Sequence, residues 1–326
     1  MLYQAVSFVS LGHKGYRLSG EIGSPANLPS VMKAIQEKLG GWERPVVTDY
    51  ELAVLMTSQM AHLEEQPTLR LYEKVVDSLG SFGLISPSKD FKPGTVYHLF
   101  GRAKPKAMEV ACAVDPFAYI SHLSAMEFHG LTDRFSKILY LTTPPDTEWK
   151  ELAKERMLKD LREHLEPFQR AKLPLLRRPV FDRVEGVRVE LMRRSSRGAF
   201  KTIKSPTIRV AMVGRAFLDM VREPGNCGGM QHVVDTYREH GARYLALIAE
   251  EVEQHGNAVE KVRAGYLLEE VCQLRHPHVD GWTQKAQRGG SRLLDPLGEY
   301  APVYSEKWKL SINVASLMPG GSEDAL

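Results

Sequence analysis

Leu69 to Phe100, LRLYEKVVDSLGSFGLISPSKDFKPGTVYHLF, changes its apolar period halfway along. Leu71, Val75, Val76 and Leu79 recur at helical spacing, so the first part predicts an amphipathic helix over about Leu69–Leu79. Gly80 and Gly83 end it, and Leu84-Ile85 begins an extended segment. Ser86 to Gly94 is a polar turn, and Thr95-Val-Tyr-His-Leu-Phe100 is strand-like. Helix, then hairpin, is the expectation.

Upstream the same logic gives two more helices. Leu28, Val31, Met32, Ile35 and Leu39 form one apolar stripe, stopped by Gly40-Gly41. Thr48-Asp-Tyr-Glu51 has the form of a capping box, with Leu52, Leu55, Met56 and Met60 behind it. Three helices followed by a hairpin with a basic tip is the order of a winged helix-turn-helix, over residues 27–101. Such a fold lays one helix in the DNA major groove and sets its wing on backbone phosphates. Arg70 and Lys74, four apart on the third helix, and Lys89 and Lys92 in the hairpin loop are the expected DNA contacts. Residues 1–26 form an extension before this domain. Residues 102–110 read as a linker whose Arg102 and Lys104 add to the basic surface.

Residues 111–318 read as a second, mixed α+β domain ending in a helical array, followed by a flexible tail at 319–326, so the fold class expected overall is α+β. A helix is expected over about Pro116–Phe128, a strand at Ile138–Thr142, and an exposed charged helix over Glu148–His164. Val187-Arg-Val-Glu-Leu191 alternates as a half-buried strand does. Four helical segments are expected at 215–221, 229–238, 241–254 and 258–273, with strand-like residues again at 303–314.

The chain has 326 residues and a net charge of only +3, but the charge is uneven. Phe168 to Arg209 holds twelve basic residues against Asp182, Glu185 and Glu190, a local balance of +9. Arg177, Arg178, Arg193, Arg194, Arg197 and Lys201 are the expected secondary basic surface, suited to a polyanion, with RNA contact possible as well as DNA. No apolar run approaches the roughly 18 residues of a membrane span. Three cysteines without a CxxC pair fit a reducing, cytoplasmic setting and give no thiolate metal site. No cofactor or metal is expected.

Ile120 to Arg134, ISHLSAMEFHGLTDR, carries serines, histidines and carboxylates together. On a continuous helix Ser121 and Ser124 point away from the face shared by His122 and His129, which argues against a nucleophile–base pair. His276-Pro-His278 with Asp280, and Gly225-Asn-Cys-Gly-Gly229 with Cys227, read as loop and turn rather than as a metal or phosphate site. These readings favour a binding protein without enzymatic activity. The alternative is a metal-dependent or hydrolytic enzyme acting on nucleic acid through His122, His129 or the His276–His278 loop.

Three stretches resemble the AbiEi family of antitoxins and transcriptional regulators from type IV toxin–antitoxin systems. They are the region ending LGSFGLISPSKD…GTVYHLF, the helix YISHLSAMEFHGLTDR, and IRVAMVGRAFLDMVREPGNCGGMQHVVDTYREH. The resemblance implies a cytoplasmic phage-defence protein whose N-terminal domain binds inverted repeats in its own promoter and represses. It implies a second domain that counters a cognate nucleotidyltransferase-type toxin without a stable complex. The chain departs from the family pattern in its N-terminal extension, in a charged insertion around Glu148–Arg178, and in Glu73 and Asp77 beside Arg70 and Lys74.

Overall fold

The computed structural model describes residues 28–195, 200–204, 207–286 and 292–319. The chain opens with α1 (Leu28–Gly40), β1 (Val46–Thr48), α2 (Asp49–His62), α3 (Leu69–Ser81), β2 (Ile85–Pro87) and β3 (Val96–Leu99). β3 lies between β1 and β2, antiparallel to both, with Val46 opposite His98 and Ile85 opposite Leu99. The capping box at α2 forms: Thr48 Oγ1 accepts from Glu51 N at 3.2 Å, and Glu51 Oε2 accepts from Thr48 N at 3.0 Å. Val31, Ile35, Leu52, Met56, Val75 and Leu79 fill the space between the three helices.

There follow α4 (Ala107–Val114), β4 (Tyr119–Ile120), α5 (His122–Phe128), β5 (Ile138–Thr143), α6 (Asp146–Leu161) and α7 (Leu165–Arg170). Then come β6 (Arg183–Val184), β7 (Val187–Arg193), β8 (Phe200–Ile203), β9 (Ile208–Ala211) and α8 (Val213–Arg222). Six of these strands form a mixed sheet in the order β6-β7-β5-β4-β9-β8. β5 and β7 run parallel from Ile138 opposite Arg188 to Thr143 opposite Arg193. Parallel pairs need a long crossover, and α6 and α7 lie in this one.

α9 (Met230–His255), α10 (Ala258–Tyr266), α11 (Pro277–Trp282) and the short pair β10 (Tyr304–Ser305) and β11 (Leu310–Ser311) complete the described chain. α8, α9 and α10 enclose a core of Phe217, Val234, Tyr237, Ile248, Leu267 and Trp308. The expected break at Gly241 is absent. α9 runs through Gly241, where an added Cβ would meet Leu268, Cys272 and Leu274 at an ordinary van der Waals distance of 3.7–3.9 Å. Gly265 is tighter still, because a Cβ there would meet the Trp308 ring at 2.2 Å. The strand-like residues expected at 303–314 form only the two-residue strands β10 and β11.

Two expectations about organisation are corrected. The charged helix after Glu148 is not a solvated insertion. Trp149, Ala153 and Leu161, spaced by fours and eights along α6, are buried, and Met157 between them is packed against the core of α1, α2 and α3. Leu161, Phe168 and Leu173 extend that core, whereas Trp149 packs on Phe117 and donates to Asp115 at 3.0 Å. Nor is 102–110 a bare linker. α4 starts at Ala107, Val110 is sealed in the core, and Arg102 Nη2 donates to Leu39 O and Gly40 O, both at 2.9 Å, closing the C-terminus of α1. The N-terminal unit is therefore finished by side chains from the crossover.

Asp49, in the first turn of α2, lines a pocket with the segment 175–180 of this crossover. Burial pushes its carboxyl up to about 6, against hydrogen bonding from Tyr50 N and the charge of Arg177. The folded chain holds this proton more tightly than the unfolded one. The ionised form therefore costs stability above about pH 6, and the cost fades as pH falls toward 4. Asp49→Asn is expected to be more stable than the parent by about 1–2 kcal/mol at pH 7.5. Thermal melts should show the gap closing by pH 4; a gap independent of pH would contradict this.

Candidate nucleic-acid interface

α3 forms because Thr68 caps it, its Oγ1 accepting from Leu71 N at 3.2 Å, and because Tyr72, Val75 and Leu79 share one buried face. Tyr72, absent from the expected stripe, also donates to Asp49 O at 3.3 Å and so fixes α3 against the start of α2. The opposite face carries exposed Arg70, half-buried Lys74, and exposed Glu73 and Asp77. Two cations and two anions give this face no net charge, so any long-range attraction to phosphates comes from elsewhere.

The β2–β3 hairpin holds Lys89 and Lys92 exposed on its loop. That loop is braced. Ser88 N donates to Val96 O at 2.9 Å, Thr95 Oγ1 to Lys92 O at 2.6 Å, and Tyr97 Oη to Gly94 O at 3.2 Å. Phe91 turns inward onto Phe181, ring centres 5.5 Å apart. Asp90 accepts from Glu185 N at 2.8 Å, and His98 lies 3.7 Å from the Glu185 carboxylate. The β6–β7 turn thus grips the hairpin at two points, fixing where its lysines stand. Lys104 is exposed, whereas Arg102 is occupied on α1 and is not a free cation.

The segment 168–209 is not one open basic surface. Arg178 pairs with Asp146 and donates to Pro144 O, Arg193 reaches Asp146 at 3.3 Å, and Arg194 pairs with Glu223. Arg209 donates to the carbonyls of Ala118, Cys112 and Asp115. Arg177, Lys172, Lys201 and Lys204 are exposed, and Arg197 lies outside the described residues. The local excess of +9 is reduced by partners distant in sequence, Glu223 and Asp146 among them.

The Ile120–Arg134 stretch behaves differently from the helix expected there. α5 begins only at His122; Ser121 is extended at φ −138°, and His122 adopts a left-handed φ of +49°. This kink brings adjacent side chains together, with Ser121 Oγ 2.9 Å from His122 Nδ1. Thr142 Oγ1 donates to Ser121 Oγ at 2.8 Å, and His122 Nε2 lies 2.8 Å from Glu223 Oε2. Every polar atom in the row is satisfied if Ser121 donates to Nδ1 and Nε2–H donates to Glu223. The His122 bond and Arg194 hold the Glu223 carboxyl below its usual range. The order serine, imidazole, carboxylate is that of a nucleophile and its base. Ser121 and His122 are both 0% exposed, however, so no substrate reaches the hydroxyl in this conformation.

The remaining candidates have structural roles. His129 Nε2 lies 2.6 Å from Ala211 O, and burial lowers its pKa, favouring the neutral donor. His276 accepts from His278 N and caps α11. Cys227 is buried and its thiol is pushed well up by desolvation, the opposite of a reactive thiolate. Among the described residues, no three His, Cys, Asp or Glu side chains converge as metal ligands, and no helix is long and apolar enough to cross a membrane. The Ser121–His122–Glu223 row was invisible to spacing arguments, since its carboxylate lies 101 residues away. Comparison of the chain with protein-family models and with curated proteins finds no match.

Proposed function

We propose that the chain is a DNA-binding antitoxin of the type IV kind. In this reading it represses its own operon through an N-terminal winged helix-turn-helix and counters a nucleotidyltransferase toxin through the rest of the chain. One observation carries the DNA-binding part. An exposed α3 stands beside a hairpin whose Lys89 and Lys92 are presented on a braced loop, in the element order α1-β1-α2-α3-β2-β3. In a winged helix α3 enters the major groove and the hairpin tip meets backbone phosphate. The antitoxin part rests on the AbiEi resemblance of the three quoted stretches.

Two arms test the reading. The chain should lower a reporter driven by its own upstream region severalfold, and should restore growth to cells expressing the adjacent nucleotidyltransferase-like reading frame. Full reporter activity would remove the repressor half, and unrelieved toxicity the antitoxin half. A hydrolytic reading is favoured only by the Ser121–His122–Glu223 row. It requires that Ser121→Ala, in a folded protein, abolish growth rescue; the binding reading requires that rescue survive.

A further inference from the structure

A cleft of about 460 Å³ opens at the end of β7, between α8 and the start of α10. Four guanidinium groups converge on it from two elements: Arg193 and Arg194 at the end of β7, Arg215 and Arg222 on α8. Arg215 and Arg222 are seven apart, two helical turns on one face. Asn257, the N-cap of α10, completes the rim.

Each guanidinium has a carboxylate partner. Arg193 meets Asp146, Arg194 meets Glu223, Arg215 Nε lies 2.7 Å from Glu251, and Arg222 forks onto Glu260 at 2.7 and 3.0 Å. The Glu260 carboxylate also accepts from Asn257 N at 2.8 Å, so Arg222 and the α10 cap occupy it. A guanidinium has five N–H donors and one carboxylate takes at most two. Donors are left over: Arg194 Nε, and Nη2 of Arg215, itself 1% exposed, are buried with no hydrogen-bond acceptor among the described residues. Buried donors of this kind cost free energy until something accepts from them. Planar forks locked by carboxylates are pre-organised for oxyanions.

Among the described residues the lining contains no Phe, Tyr or Trp, so it offers no stacking platform for a base. Its chemistry suits phosphate, and its volume and four guanidiniums exceed what one orthophosphate uses. We infer that this cleft binds a pyrophosphate group, either free or as the phosphate tail of a nucleoside triphosphate. The inference is independent of the DNA-binding reading, since none of its residues lies in α1–β3.

Titration calorimetry on the full chain tests it, with pyrophosphate, ATP and adenosine as ligands and sodium sulfate matched for ionic strength as control. Pyrophosphate is expected to bind with a dissociation constant of about 10–100 μM, at least tenfold tighter than sulfate. Equal affinity for ATP identifies the tail as ligand, and tenfold weaker ATP binding identifies free pyrophosphate. Arg193→Gln removes a surface guanidinium. Asn257→Asp keeps a side-chain oxygen for the α10 cap while adding a negative charge at the rim. Each should weaken pyrophosphate binding about tenfold, with far-UV circular dichroism unchanged. Absent pyrophosphate binding, sulfate binding of equal strength, adenosine binding alone, or unchanged affinity in both variants would overturn the inference.

Discussion

Phe168→Ala is expected to lower stability by about 3–5 kcal/mol and to abolish the proposed DNA binding, although Phe168 lies far outside residues 28–101. Its ring is fully buried against Tyr50, centroids 6.3 Å apart, within the cluster that includes Ile35, Met56 and Leu79. Alanine would leave a ring-sized cavity at the base of α2, where Tyr50 Oη also donates to Asp160 at 3.0 Å and Arg156 braces that carboxylate at 2.7 Å. Close packing transmits such a loss to α3. The measurements are urea unfolding and DNA binding of the purified variant. If residues 28–101 were an independent domain, the DNA affinity proposed for α3 would persist at 20 °C, which would contradict a core shared with Phe168.

The second large effect concerns charge. Arg70→Ala with Lys74→Ala is expected to weaken binding to the upstream DNA by about 10- to 100-fold and to reduce the slope of log K against log salt by up to about 2. Lys89→Ala with Lys92→Ala should flatten the slope similarly while leaving the preference among sequences intact, since a wing on phosphates positions but does not read. Both pairs are at the surface or half-buried, so unfolding is not expected to mimic the result. A fluorescence anisotropy salt series separates the two. Because Glu73 and Asp77 balance Arg70 and Lys74, removing these carboxylates should raise affinity for scrambled DNA more than for the operator.

The parts legible in sequence are those fixed by local chemistry. The switch from a helical period to a strand period after Gly83, and the Thr48–Glu51 capping box, need only neighbouring residues, and α3, the hairpin and the cap all form. β5 and β7 follow for the same reason. What escaped depends on distant partners. The stripe Trp149, Ala153, Met157, Leu161 is one residue wide and flanked by charges, so it resembles a solvated helix until Asp115, Phe117 and the core of α1–α3 lie beside it. Ser121 and His122 meet because their backbone leaves the helix, which no helical projection contains. Part of the basic stretch's excess is offset by Asp146 and Glu223, and the arginine cleft exists only once β7, α8 and α10 assemble.

The most direct measurement is the affinity of the intact chain for its own upstream DNA beside a scrambled duplex of equal length and composition, from 50 to 200 mM salt. At least about 100-fold preference for the native sequence is expected, with affinity for both falling steeply as salt rises. Equal binding to the two duplexes, or binding insensitive to salt, would contradict it.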